Sequence, residues 1–275
     1  MNVKKKVFTV LGWIILIVAL AVIYLPIALV ILYSFINSKN VGESGPFSLE
    51  LYKQLFENEK LLTAAGNTLL IGVISAFAAT ILGTVSAVGI FYLKRGKQAA
   101  NIVSQLTVYN AEIVTAVGFF LLSILLRNVV QKGIAWLIVC HTVITVPYVI
   151  LTVSPRLSQL NPNLFEAGTD LGASSARTMF TVIFPQLIKG MVSGFALAFT
   201  LSLDDFVVTN MNRGDGVETI STFVYNSIRR GVPPAVRALS TIIFVAVLVV
   251  LIAVNIAGKA KTRRGNMPAP AKHKR

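Results

Sequence analysis

The sequence predicts an all-α integral membrane protein of six transmembrane helices with both termini in the cytoplasm, and three observations carry that prediction. Hydrophobic residues make up 55% of the 275 positions and charged residues only 13%, about half the roughly 25% charge of a soluble domain; mean hydropathy is +0.75. The apolar residues lie in six blocks free of Lys and Arg, at 7–38, 61–93, 98–126, 133–155, 190–212 and 238–258. Each is long enough to cross a ~30 Å hydrocarbon layer as a helix, which takes about 20 residues. Helices are the open-chain solution because lipid offers no partner to a free N–H or C=O. Third, with the N-terminus inside, the inner segments 1–6, 94–97, 156–189 and 259–275 hold 16 Lys and Arg, against 9 in the outer segments 39–60, 127–132 and 213–237. That asymmetry sets the orientation.

The first block follows Lys4, Lys5 and Lys6 and contains Ala19-Leu20-Ala21, as a cleaved leader would. It runs on to about Phe35, past the 7–15 residues of a leader core, and so reads as an uncleaved span. In the second block Ala79, Gly83 and Ala87 form a small-residue stripe suited to close helix packing. The third carries Glu112 at its midpoint, and the fourth pairs Cys140 with His141, read as packed residues rather than a metal site because no second ligand is evident. A single cysteine excludes a disulfide framework.

The longest inner segment, 156–189, reads as two short helices joined at a glycine. Asn161-Pro162 is a helix start, Glu166 lies near the positive end of that helix dipole, and Gly172 ends the helix in a left-handed conformation. A second helix over 174–184 presents Ala176, Met179, Phe180 and Ile183 on one stripe until Pro185 breaks it. Exposed Leu171, Met179 and Phe180 call for a partner surface.

In the fifth block Gly190, Gly194 and Ala198 form another small stripe. Asp205 falls about 20° from Gly194 on a helical wheel and so points into the bundle, with Asp204 about 100° away. Asp204 precedes Asn212 by eight residues, about 12 Å of continuous helix. After the sixth block, the basic stretch from Lys259 to Arg275, with Pro268 and Pro270, reads as a disordered tail held to anionic lipid headgroups rather than to nucleic acid. The chain divides into 1–60 (first span and outer segment), 61–258 (a five-helix core with its cytoplasmic loop) and 259–275 (the tail).

The chain lacks a phosphate loop: Gly96-Lys97 is followed by Gln98 with Phe91 where a first glycine belongs, and Gly258-Lys259 is flanked by Ala253 and Ala260. If energy is used, another chain supplies it. Glu166-Ala167-Gly168, then Gly172, Val182, Phe184 and Pro185, resembles the "EAA" loop of ABC importer permeases: Glu-Ala-Ala, three residues, Gly, nine residues, Ile-x-Leu-Pro. Gly168, Val182 and Phe184 depart from it by small or apolar swaps. The resemblance implies a MetI-like (type I importer) fold and an ATPase-coupling role for Glu166, Ala167, Gly168, Asp170, Gly172 and Pro185. It also implies an ABC ATPase dimer, a second homologous permease subunit and an extracytoplasmic substrate-binding protein as partners, with no cofactor.

Asn67-Thr68-Leu69, Pro147-Tyr148-Val149, Pro155-Arg156-Leu157, Ser202-Leu203-Asp204-Asp205-Phe206, Tyr225, Arg230-Gly231-Val232, Pro234 and Ala238 resemble the spermidine/putrescine branch of that family, its C-type permease above all. Ala111, Ile220-Ser221 and Arg237 depart from the branch. The resemblance implies a polyamine substrate.

Intramembrane acids face a cavity or a partner because a buried charge costs at least ~2.5–3.5 kcal/mol on insertion scales. Glu112, Asp204 and Asp205 therefore read either as the lining of a cation passage or as structural counterions, for example to Arg213. Protonated amines separated by methylenes suit spaced carboxylates on apolar walls, with Tyr109, Phe206 and Tyr225 as cation–π partners. The outer segments carry nine Lys/Arg against six acids, a poor attractant for polycations unless the substrate arrives enclosed in an acidic receptor docked on 39–60 and 213–237. Two rivals stand beside an importer permease. An intramembrane aspartyl enzyme requires facing carboxylates, which adjacent residues do not supply. An ion-coupled secondary transporter predicts repeats or broken helices, which the sequence does not display.

Overall fold

The computed structural model describes residues 3–265, apart from 39–41, 44, 94, 162 and 229–230. Pro162, Arg229, Arg230 and the tail beyond 265 lie outside the described residues. All regular structure among the described residues is helical, save one isolated antiparallel bridge between Ile36 and Phe47. The helices are α1 (Val3–Ser34), α2 (Glu50–Glu57), α3 (Glu59–Tyr92), α4 (Lys97–Tyr109), α5 (Glu112–Leu125), α6 (Ile134–Ser158), α7 (Leu164–Asp170), α8 (Ser175–Thr178), α9 (Phe184–Asp204), α10 (Val207–Asn212), α11 (Ile220–Ile228) and α12 (Ala235–Gly265), with a π turn, Met179–Ile183, between α8 and α9. Four described stretches are long and apolar enough to cross a membrane, Thr9–Ser34, Glu59–Tyr92, Ile134–Ser158 and Ser175–Asp204; Glu112–Leu125 and Ala235–Val249 are shorter apolar helices.

Two of the six predicted blocks are not continuous helices. Block 98–126 breaks at Asn110-Ala111, whose backbone is extended, and block 190–212 breaks at Asp205-Phe206. The depth reckoned for Asp204 along an unbroken helix therefore does not hold. At the C-terminal end the helix does not stop at 258 but runs into the basic stretch to Gly265.

The chain forms two compact units, one of residues 1–62 with 227–275 and one of 63–226. In the first, α12 packs on α1 and α2. Ser34 ends α1 by donating to the Ile31 carbonyl (2.6 Å) and meeting the Tyr52 hydroxyl (3.0 Å). Phe35 stacks on Phe47 beside it, and Arg237 donates to the Ser38 carbonyl at 2.9 Å. Residues 9–26 of α1 are exposed in the isolated chain, which is how a helix facing lipid or another membrane chain must look.

In the second unit α6 is the central helix. Val149 of α6 lies where a Cβ on Gly83 of α3 would come within 2.7 Å, and a Cβ on Gly194 of α9 within 2.7 Å of Thr152 and 3.0 Å of Val149. Both small stripes thus do what their spacing predicts: they let backbones approach where lipid supplies no hydrophobic drive between helices. Ala79, Ala87, Val149, Val153, Leu157, Leu187 and Ala198 form the core there. A smaller core of Ala116, Trp136, Cys140 and Val208 joins α5, α6 and α10. Asn212 fixes that junction, accepting from Trp136 Nε1 (3.4 Å) and donating to the Ala116 carbonyl (3.0 Å).

Asn67 and Thr68, read from the sequence as a motif, bind the loop before α11: Asn67 donates to the Glu218 carbonyl at 2.9 Å and Thr68 Oγ1 accepts from Ile220 N–H at 2.9 Å.

Candidate functional site

The elbow predicted over 156–189 is built from α7, α8 and the π turn. Asn161 Oδ1 accepts from Asn163 N–H (3.0 Å), so the chain turns in ahead of α7, which starts at Leu164. At the other end Gly172 takes φ +82°. Its N–H bonds the Thr169 carbonyl (2.9 Å) and Ala173 N–H the Gly168 carbonyl (3.2 Å), the paired bonds of a Schellman ending. Ser174 then caps α8, accepting from Arg177 N–H at 3.3 Å.

Pro185 does not break the helix as expected from the sequence. It sits in the first turn of α9, where its missing N–H costs little, and the π turn absorbs the misfit, with Phe184 N–H reaching back to the Met179 carbonyl. The predicted stripe splits in consequence. Ile183 is buried and Met179 packs against the core, while Ala176 and Phe180 face outward. Glu166, Ala167 and Asp170 are exposed, and Leu171 is 90% exposed. Gly168 faces inward onto the buried Thr178, whose side chain occupies the space a Cβ would need.

The second place of interest lies at the two helix breaks. A cleft of about 270 Å³ is walled by Asn110, Glu112 and Thr115 around the first break, by Ile144, Thr145 and Tyr148 of α6, and by Leu201 and Asp204–Val208 around the second. Irregular backbone at membrane depth is tolerated where it lines such a cavity. Each break also puts an acid at a helix start. Glu112 is the first residue of α5, and Asp205 caps α10, its carboxylate accepting from Val208 N–H (3.3 Å) and Thr209 N–H (2.8 Å). Carboxylates are stabilised there by unpaired amides and the positive end of the dipole.

The three acids then part company. Asp205 is 6% exposed and further accepts from the Thr209 hydroxyl (2.7 Å), with His141 Nε2 at 3.3 Å. Asp204 and Glu112 are exposed to the cleft. Arg213, considered above as their counterion, instead faces Glu218 at 3.8 Å. Among the aromatic candidates Phe206 lines the cleft and Tyr225 packs against it, centroids 4.4 Å apart and rings tilted by 38°. Tyr109 is 82% exposed and is not part of the wall.

Besides other wall residues, the sequence reading did not place Tyr148 in the cleft or His141 behind it, against Asp205. The signal was available: His141, Ile144, Thr145 and Tyr148 recur at i, i+3, i+4 and i+7, one face of α6.

Residues 79–264 match the family described as binding-protein-dependent transport system inner membrane component. The chain is 31% identical over 258 residues to the putrescine transport system permease protein PotI of Escherichia coli (strain K12), covering 91% of this chain and 92% of that one. It is 34% identical over 245 residues to the spermidine/putrescine transport system permease protein PotC of the same organism, covering 88% and 92%. Among solved structures, a bacterial ABC transporter involved in the import of the acidic polysaccharide alginate aligns with a TM-score of 0.74 at 14% identity, over 93% of this chain and 96% of that chain. The MetNI methionine ABC transporter aligns at 0.58 and 16%, over 75% and 96%. At such identities the likeness is one of fold.

Proposed function

The chain belongs to the binding-protein-dependent transport system inner membrane components, and from that premise we propose that it passes polyamines, putrescine and spermidine among them, through the cleft at Glu112 and Asp204. It is a permease component of an ABC importer and resides in the inner membrane. Family membership sets aside the secondary-transporter reading; helix continuity does not, since two helices are broken. The aspartyl-enzyme reading loses its dyad, with Asp205 buried and Asp204 exposed.

The observation that carries the substrate reading is two exposed carboxylates on a wall that mixes apolar Ile144, Leu201, Val207 and Val208 and aromatic Phe206 and Tyr148 with the uncharged polar side chains of Asn110, Thr115 and Thr145. Opposite unit charges 4 Å apart attract by about 4 kcal/mol at an effective dielectric of about 20, so Glu112 and Asp204 favour a protonated amine. The methylenes between amines pass along the apolar residues, and Phe206 is the aromatic ring of the wall available for a cation–π contact. Helix α9 ends at Asp204, which adds the negative end of its dipole.

The driving force comes from a partner ATPase dimer seated on the exposed face of α7. Closure of that dimer on ATP moves α7 and α8, and with them α9; a second homologous permease completes the passage, and an extracytoplasmic binding protein delivers the solute. The outcome is alternating access through a two-state element, with lipid around the apolar helices. Reconstituted with its partners, the complex should take up labelled putrescine and spermidine only with ATP, each competing with the other. Uptake of neither, with a neutral or anionic solute carried instead, would refute the assignment.

A further inference from the structure

His141 is 1% exposed and no wall residue of the cleft, yet it touches both sides of the break in the fifth apolar block. Its Nδ1 lies 2.6 Å from Ser202 Oγ on α9, and its Nε2 lies 2.9 Å from Thr209 Oγ1 on α10 and 3.3 Å from Asp205 Oδ2 at the joint. Ser202 in turn meets Ser75 Oγ of α3 at 3.2 Å. One ring therefore ties together α6, the last turn of α9 and the first turn of α10, with α3 behind it. With the proton on Nε2, the ring donates toward Asp205 and Thr209 and accepts the Ser202 hydroxyl at Nδ1, so each nitrogen is satisfied.

An extended joint between two helices is not self-supporting, because it forfeits the backbone bonds a continuous helix would make. Here Asp205 replaces them, and Asp205 as a buried carboxylate needs every donor it has. Asp204 precedes it directly as the last residue of α9, so the direction in which Asp204 leaves the helix depends on how the joint is held. We propose that His141 is a positioning residue of the solute passage: clamped between Ser202 and the Asp205–Thr209 pair, it holds the break open and so keeps the Asp204 carboxylate in the cleft.

The test reads position without solute. In a Cys140→Ala background, Asp204→Cys gives one thiol whose modification by a water-soluble methanethiosulfonate reports its access from the cleft. His141→Leu should slow that modification by about tenfold, the scale of one hydrogen bond to a charged group; His141→Gln, whose amide can reach Asp205 and Thr209, should recover most of the rate. A merely structural histidine would change the yield of folded protein and leave the rate per folded molecule alone. Should His141→Leu not fold, Ser202→Ala, which removes the Nδ1 partner together with the Ser75 contact, is read in the same way against Ser75→Ala, which removes the Ser75 contact alone. Equal rates in all folded variants would overturn the proposal. The transport consequence, a raised KM for uptake in His141→Leu relieved in His141→Gln, rests on the function proposed above. Altered labelling with unaltered uptake would therefore reject the passage and keep the clamp, whereas unaltered labelling rejects the clamp itself.

Discussion

Asp204 and Asp205 share a peptide bond, but one carboxylate stands in the cleft and the other is enclosed by two backbone amides, a hydroxyl and an imidazole. Their substitutions should separate accordingly. On the function proposed above, Asp204→Asn removes a charge from the solute passage, so ATP-dependent uptake of a diamine should fall severalfold while the melting midpoint of the detergent-purified protein stays put. Asp205→Ala removes a helix cap, worth about 0.5–2 kcal/mol, and strands buried donors at about 1–3 kcal/mol each. It should lower the melting midpoint first and transport only as a result. Measuring both quantities on both variants checks the division; equal behaviour would contradict it. That acids lay inside the membrane was legible in the sequence. Their division was not, because the helical wheel that turned Asp205 inward assumes an unbroken helix. The wheel nevertheless gave the correct burial, since Asp205 ends the same face as Gly190, Gly194, Ala198 and Ser202.

At the scale of elements, the departure of Gly168 from the Glu-Ala-Ala pattern has a local cause: Thr178 fills the place of the missing methyl. Gly168→Ala should therefore overpack the α7–α8 contact at about 1–3 kcal/mol, seen as reduced thermal stability and weaker ATPase coupling. Adding Thr178→Ala should restore both, because its buried hydroxyl has no hydrogen-bond partner to lose. A double variant as poor as the single one would refute this pairing. The glycine joint at Gly172 could be read in advance because a left-handed turn has a strong residue preference. The passage of Pro185 could not, because a proline's effect depends on whether the preceding turn widens to receive it, and nothing in Met179–Ile183 signals a π turn. The breaks at 110–111 and 205–206 were likewise hidden: hydropathy reports the solvent a segment lies in, not whether its backbone is continuous.

For the whole molecule, six apolar segments appear in the predicted order, and the fold is that of ABC importer permeases. Such a chain should depend on others for energy, and the exposed side of α7 is where that dependence can be measured. Leu171 is 90% exposed and supports nothing within the chain, so Leu171→Asp should leave its melting behaviour intact while abolishing co-purification with the ATPase and all uptake. Retention of the ATPase by that variant would move the coupling surface elsewhere. In the coupling proposed above, a push at α7 would reach the cleft through the single rod formed by α8, the π turn and α9, wound one residue loose in the middle. Excising a residue from 179–183 would leave a rod of ordinary winding, fully able to cross the bilayer, but with its α7 end swung through about 100° relative to the Gly190–Gly194 face. The surplus residue is thus what aims the lever, and a shortened chain would present α7 to the wrong quarter of the compass.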